Sequence, residues 1–391
     1  MSELLERGAA RITWIRSRMP LLAAARREFA ERRPFAGHRV GMSLHVEPKT
    51  AVLLEVLAAG GAEVVATGNH GSTQDDIVAY LRGSGMTVFG RRDDTLAEHE
   101  ANVAAVVASR PDILLDNGAD LAAGVIAGGA AGSVVGGTEE TTSGGIRLRT
   151  ELAGRVTFPT IVINDSPLKA IGENRHGVGQ SVVESIMRIT NLMIPGRRFV
   201  VAGYGWCGRG IAQYLRAFGG RVAVAEIDEI KAFEAALDGY RVDELGNLAE
   251  WGEFFITATG HRGIITEEVF ERMPSGAVLA NAGHFPWEID TAALYARAAA
   301  VTELDAAIER IDLPDGRELI LLAGGRMVNL AGREPKGNSL EAMDLGFLLQ
   351  SLSLERVATA ADSLAPGPQP VPDDLEREIA RRFVRALGAD R

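Results

Sequence analysis

The sequence predicts an α/β protein built from two doubly wound parallel-sheet domains, with a short C-terminal helix. Apolar runs alternate with helix-like stretches along all 391 residues, an order that implies parallel strands. They fall into two series, and the chain is too long for one ordinary domain. The second series opens on "VVAGYGWCGRGIAQYL" at 200–215, where an apolar strand passes through Gly203, Gly205 and Gly208 into a helix.

Residues 1–32 set Arg and Glu between apolar residues at helical spacing, without the apolar core and cleavage site of a signal peptide. "HRVGMSLHV", "AEVVATGN", "PDILLDNG" and "FPTIVIND" then read as strands, and this half ends near 178. "RRFVVAGYG", "RVAVAEID", "FFITATG", "AVLANAGH" and "ELILLAGGRMVNL" form the second series. "LAPGPQPVP" at 364–372 separates a charged terminal helix, expected to dock on a neighbouring subunit. Ligands of open α/β sheets sit beyond the carboxyl ends of the strands. His45, Asn69, Asp116, Asn164, Asp165, Glu226, Thr259, His284 and Asn329 lie at such ends.

With 46% apolar residues the chain can bury a large core, and its formal charge of −11 argues against nucleic acid or an anionic membrane as partner. No stretch offers 18 consecutive apolar residues, the length that spans a membrane. The single cysteine, Cys207, excludes an intramolecular disulfide framework and a Cys-based zinc site. A soluble cytoplasmic protein with a small-molecule ligand is expected.

The glycine turn has a chemical reading. Strand, Gly203-x-Gly205-x-x-Gly208 and helix stand in the order of a Rossmann dinucleotide fold, and Glu226 closes the next strand 23 residues after Gly203. A carboxylate there accepts from a ribose 2′-OH, which favours NAD over NADP. The glycines let the backbone approach the pyrophosphate at the helix N-terminus.

Nine blocks, "SLHVEPKTAVLLEVL", "STQDD", "TEETTSG", "INDSPLK", "GENRHGVGQS", "AGYGWCGRG", "EID", "NAGHF" and "GRMVNL", occur in the order found in the S-adenosylhomocysteine hydrolase family. The chain resembles that family over almost its whole length, and its archaeal and Thermotoga-like branch most. The resemblance implies a substrate-binding domain at 1–178, an NAD-binding Rossmann domain at 179–337, a return segment of the substrate domain at 338–365 and a C-terminal extension at 366–391. It also implies a chemistry: C3′ of a nucleoside ribose is oxidised by NAD⁺, the 5′ substituent is eliminated, water adds, and hydride returns.

Residue by residue, the resemblance makes Lys169 the base for the C3′ hydroxyl with Glu173 beside it, and His45 and His284 the histidines near C5′. Glu140 grips the ribose hydroxyls. Thr141, Thr142 and Ser143 line the nicotinamide, and Asn174 and Asn329 stand beside the lysine and at the carboxamide. Cys207 lies within the cofactor loop, Thr259 at a cofactor-side strand end, and Met343 in the block that borders the substrate. Lys49 replaces the carboxylate that animal members use for adenine; as a donor-only group it suits a ring nitrogen or the O6 of hypoxanthine, with Glu47 as its partner.

Four departures weigh against an unchanged activity. The second carboxylate of the family's aspartate pair is Asn117, which cannot take up a proton at neutral pH. Glu173 is one methylene longer than the family's aspartate. The family's cysteine near the nicotinamide is Val178, and Asn338 and Ser339 stand where a His-Pro pair borders the homocysteine tail; the family's C-terminal tail is shortened as well. The leading expectation is therefore a nucleoside dehydratase that expels water from a 5′-hydroxyl, of the kind used in antibiotic biosynthesis. The alternatives are an S-adenosyl- or S-inosyl-homocysteine hydrolase and an NAD-binding regulator without turnover. A homodimer or homotetramer is expected.

Overall fold

The apolar runs form the inner strands of two sheets. The computed structural model describes residues 3–283 and 286–388. The chain divides into two compact units, Met1–Ala170 with Leu340–Arg391, and Ile171–Ser339.

The sheet of the first unit has seven strands, all parallel, in the spatial order Gly367–Pro370, Pro159–Val162, Gly136–Glu139, Ile113–Asp116, Arg39–Ser43, Glu63–Thr67 and Thr87–Phe89. Helices between successive strands cover both faces, as parallel pairing requires. Its core gathers Leu22, Phe29, Phe35, Met42, Leu53 and Phe347, each contributing about 1.5–3 kcal/mol when fully buried. The helix Leu340–Ala360 runs through this core, with Asp344 accepting from the backbone N–H groups of Leu21 and Leu22, both at 2.9 Å. That carboxylate caps the helix Pro20–Arg32 from another part of the chain.

The Pro-rich segment differs from expectation. Gly367–Pro370 is an edge strand on Pro159–Val162, a place where proline is tolerated because one side of the strand needs no donor. The helix Asp373–Gly388 spans 16 residues and packs on its own unit, burying Leu375 and Ile379 in that core. Arg382 bonds Glu28 at 2.9 Å.

The second unit holds eight strands in the order Ala300–Asp305, Ile308–Asp312, Glu318–Leu322, Ala277–Asn281, Phe254–Thr257, Arg198–Ala202, Arg221–Ala225 and Arg241–Val242. Six are parallel. Ile308–Asp312 runs antiparallel to both neighbours, so the sheet ends in a hairpin rather than staying parallel throughout.

The first division falls between Ala170 and Ile171, not at 178, and the chain returns at Leu340. The cause is local: Lys169–Val178 is a π-helix, and its later residues pack on the helix Trp206–Ala217. A Cβ on Gly210 would lie 1.8 Å from the carbonyl oxygen of Arg175, so only glycine permits that approach. Residues 366–388 belong to the first unit rather than forming a separate extension.

Candidate active site

In the first unit three strand ends bring polar side chains into one bonded run. His45 follows Arg39–Ser43, Asn69 and Ser72 follow Glu63–Thr67, and Asn117 follows Ile113–Asp116. His45 Nδ1 lies 2.7 Å from Ser72 Oγ, which donates to the Asn69 carbonyl at 2.9 Å. With its one hydrogen used there, Ser72 accepts from Nδ1–H, and the lone pair of the neutral ring falls on Nε2. Asn69 Nδ2 donates to Asn117 Oδ1 at 2.9 Å, and Asn117 Nδ2 donates to Glu140 Oε2 at 2.9 Å. The Asn117 amide thus holds Glu140 as an acceptor, a contact that a second ionised carboxylate could not make.

Behind this run lie two buried carboxylates. Asp116 accepts from the backbone N–H groups of Asn117, Asp120, Leu121 and Ala122, capping the helix Asp120–Ala127. Glu139, the last residue of its strand, is fully buried and accepts from the N–H groups of Gly118, Ala119 and Thr141 and from the Thr141 hydroxyl. Burial pushes both carboxyls up from their ordinary range, Asp116 also through the neighbouring Glu139 charge. Thr141 is the N-cap of the helix Thr142–Arg149, taking the Gly144 N–H at 2.9 Å and lying 3.1 Å from Ser143 Oγ.

Three further residues of the first unit are buried. Lys49, on the first turn of Pro48–Ala59, is 3% exposed and pairs with Glu47 at 3.2 Å. Lys169 is 4% exposed and opens the π-helix, its backbone N–H bonded to Ser166 Oγ. Met343 is buried in the core on Leu340–Ala360.

The second unit carries the glycine turn. Gly203 has φ +98°, and a side chain there would come within 2.9 Å of the Ala258 carbonyl oxygen. A Cβ on Gly208 would lie 1.9 Å from the Gly203 oxygen. Gly205, the residue before Trp206–Ala217, faces open space: a Cβ there meets nothing within 4 Å. Cys207 lies in the first turn of that helix. Glu226 accepts from the N–H groups of Tyr204, Ile227 and Asp228, which fixes the carboxylate beside the turn.

Further along, Thr259 is held by the fully buried Glu288, which accepts its N–H at 2.9 Å and its hydroxyl at 2.8 Å. Asn329 Nδ2 donates to Ser181 Oγ at 3.1 Å, and Ser181 lies 3.1 Å from Asn338 Oδ1. Asn329 Oδ1 is buried and has no hydrogen-bond partner among the described residues. Glu173 and Asn174 ride on the π-helix, a form that recurs at functional sites. An orphaned interior acceptor, an open glycine face at a helix N-terminus and a fixed acid after the next strand suit a dinucleotide. His284 lies outside the described residues.

Sequence reasoning passed over Glu139, Ser72, Ser181 and Glu288. Glu139 sits beside Glu140 but ends its strand and bonds the backbone of Gly118, Ala119 and Thr141, whereas Glu140 meets the Asn117 side chain. Ser72 and Glu288 reach their partners only after the chain has turned, and no local pattern marks them.

Fold and site together define an NAD-dependent α/β enzyme with two doubly wound units. A model of S-adenosyl-L-homocysteine hydrolase matches residues 2–134, and one of the S-adenosyl-L-homocysteine hydrolase NAD binding domain matches 174–334. The S-inosyl-L-homocysteine hydrolase of Methanopyrus kandleri is 43% identical, across 99% of this chain and 92% of its own length. The adenosylhomocysteinase of Archaeoglobus fulgidus is 43% identical across 98% of this chain and 95% of its own. A dipicolinate synthase of Bacillus halodurans shares the fold, with TM-score 0.51 and 13% identity over 83% of this chain and 99% of its own.

The chain belongs to the S-adenosyl-L-homocysteine hydrolase family. It is a hydrolase of that family and uses NAD. The expectation of a nucleoside dehydratase is corrected accordingly: relatives that span almost the whole chain are hydrolases of S-nucleosyl-homocysteines, and nothing supports a lyase or a role in antibiotic biosynthesis. The departures at Asn117 and Asn338 are accommodated by bonds within the units, to Asn69 and Glu140 and to Ser181. Among the described residues no helix is long and apolar enough to cross a membrane.

Proposed function

We propose that this chain hydrolyses the thioether of an S-(purine nucleosyl)-L-homocysteine, releasing the nucleoside and L-homocysteine. The observation that carries this reading is the bonded run from His45 to Glu140, in a chain 43% identical over nearly its full length to hydrolases of both the adenosyl and the inosyl substrate. Bound NAD supplies a reversible hydride acceptor for the sugar.

The chain's own residues do the rest. Glu140, held as an acceptor by the Asn117 amide, takes the ribose hydroxyls. Lys169, buried and at the head of the π-helix, receives the proton of the C3′ hydroxyl. Glu173 lies one turn on and orients that lysine. His45, with its lone pair on Nε2, receives a proton from the water that adds at C5′.

The base is a purine with a polar C6 substituent. Lys49 donates to it and Glu47 accepts, a pair able to serve either adenine or hypoxanthine. On the cofactor side, within the second unit, Gly203, Gly205 and Gly208 would admit the pyrophosphate, Glu226 would take the ribose, and Asn329 Oδ1 would accept from the carboxamide, with Asn174 and Thr259 as further cofactor-side residues.

The test is incubation of NAD-replete protein with S-adenosyl- and S-inosyl-L-homocysteine separately, reading free thiol colorimetrically. Thiol release from at least one is expected. Absence of thiol from both overturns the reading.

A further inference from the structure

We infer that Glu139 is a positioning residue for the sugar site: its buried carboxylate gathers the two turns that carry Asn117 and Glu140, and so sets how those side chains meet. The inference rests on the proposed function above, and deepens it. Glu139 is 0% exposed and touches no reacting group in that scheme. Its two oxygens take four donors, Gly118 N–H at 3.0 Å, Ala119 N–H at 2.9 Å, Thr141 N–H at 2.7 Å and Thr141 Oγ1 at 2.7 Å. Two of these flank Asn117 on one strand end, and the others flank Glu140 on the adjacent one. The strands are parallel neighbours with Asp116 opposite Glu139. One carboxylate therefore binds both ends of the Asn117–Glu140 contact.

The surroundings are shaped for that anion. Gly118 and Ala119 have φ of +94° and +61°, and their successive N–H groups both point at the Glu139 carboxylate. Ala119 is a non-glycine residue in the left-handed region, a conformation that persists only where its surroundings hold it. Gly144 has no room for a side chain: a Cβ there would lie 2.2 Å from Glu139 Cδ. Every partner is a donor, so an amide in place of the carboxylate would turn an NH₂ toward an N–H and leave buried donors unpaired. Charge-assisted bonds of this kind are about twice as strong as neutral ones.

The test compares NAD-loaded E139Q, E139D and G144A with the parent. Four quantities are read: affinity for adenosine and inosine, affinity for NAD, thermal midpoint, and hydrogen exchange at residues 116–121 and 139–145. In E139Q the account expects nucleoside affinity to fall by roughly tenfold or more, exchange at Gly118, Ala119 and Thr141 to accelerate, and NAD affinity to fall by less than nucleoside affinity. E139D, which keeps the charge, recovers part of the loss. G144A displaces the carboxylate without removing it and moves the same readouts, so it decides if E139Q does not fold; E139D decides if neither does. Nucleoside affinity and exchange both within about twofold of the parent would overturn the inference. A parent that binds no nucleoside refutes the functional reading instead, and the exchange data still judge Glu139.

Discussion

Replacing Asn117 by aspartate tests the electrostatics of the sugar site. In the parent the Asn117 amide donates to Glu140 at 2.9 Å, and both residues are buried. The substitution exchanges that donor for a second carboxylate oxygen. At an effective dielectric of about 20, two unit charges separated by the observed 2.9 Å repel by roughly 6 kcal/mol. At about 1.4 kcal/mol per pKa unit this bounds the shift at about 4 units, and one member of a carboxylate pair sharing a site is strongly raised. The pair then holds one proton between them and titrates as a unit. In N117D the proton is lost as pH rises through the raised pKa, so affinity for nucleoside is retained on the acid side and falls toward alkaline pH. In the parent the partner at 117 is an amide that carries no titrating group, so the limb from this pair is absent. The assay is kcat/KM and nucleoside affinity of NAD-loaded parent and N117D from pH 5 to 9. Superimposable pH profiles would refute the reasoning.

Three further outcomes follow from individual contacts. S72A removes the acceptor for His45 Nδ1; a bond contributing about 0.5–1.5 kcal/mol implies a fall in kcat of roughly 2–13-fold with NAD affinity unchanged, read by steady-state kinetics and cofactor titration. N329A deletes the unpaired interior acceptor, and NAD affinity of the apoprotein, followed by protein fluorescence, should drop by about tenfold. Burial pushes the Asp344 carboxyl up to about 6 despite the N–H donors of Leu21 and Leu22. Its folded pKa exceeds the unfolded value of about 3.9, so its stabilising share is present in acid and is lost as pH rises through about 6. The stability of the parent relative to D344N, from denaturant melts, should therefore decline by about 2–3 kcal/mol between pH 4 and 7.

Much of the fold was legible because the inner strands are apolar runs bounded by turns. Arg198–Ala202 and Ala277–Asn281 lie buried between neighbours on both sides, and such strands read as continuous hydrophobic stretches. The strands that escaped reading lack that signature. Gly136–Glu139 begins with two glycines, and a Cβ on Gly137 would lie 2.5 Å from the Leu114 oxygen, so close strand packing selects against side chains there. Gly367–Pro370 contains two prolines and exists through its edge position. Ala300–Asp305 is exposed along its whole length and is held by its hairpin partner, not by burial.

The site was legible to a similar degree. His45, Asn117, Glu140, Gly203 and Glu226 stand directly at strand ends, where α/β sheets carry ligands. Glu139 and Glu288 act through the backbone of loops that come close only in the folded chain, and their neighbours in sequence give no sign of it. The inference drawn from Asn117 together with the other departures failed for a related reason. Loss of a carboxylate suggested lost hydration, whereas the amide sits bonded between Asn69 and Glu140.

The central claim is that water replaces homocysteine at C5′ of a purine nucleoside. The most direct measurement supplies S-inosyl- and S-adenosyl-L-homocysteine to the NAD-replete enzyme in isotopically heavy-oxygen water and weighs the products. The account predicts nucleoside and homocysteine in equal amounts, with one solvent oxygen in the new 5′-hydroxyl. A nucleoside that has lost water, with no thiol released and no solvent oxygen incorporated, would contradict it.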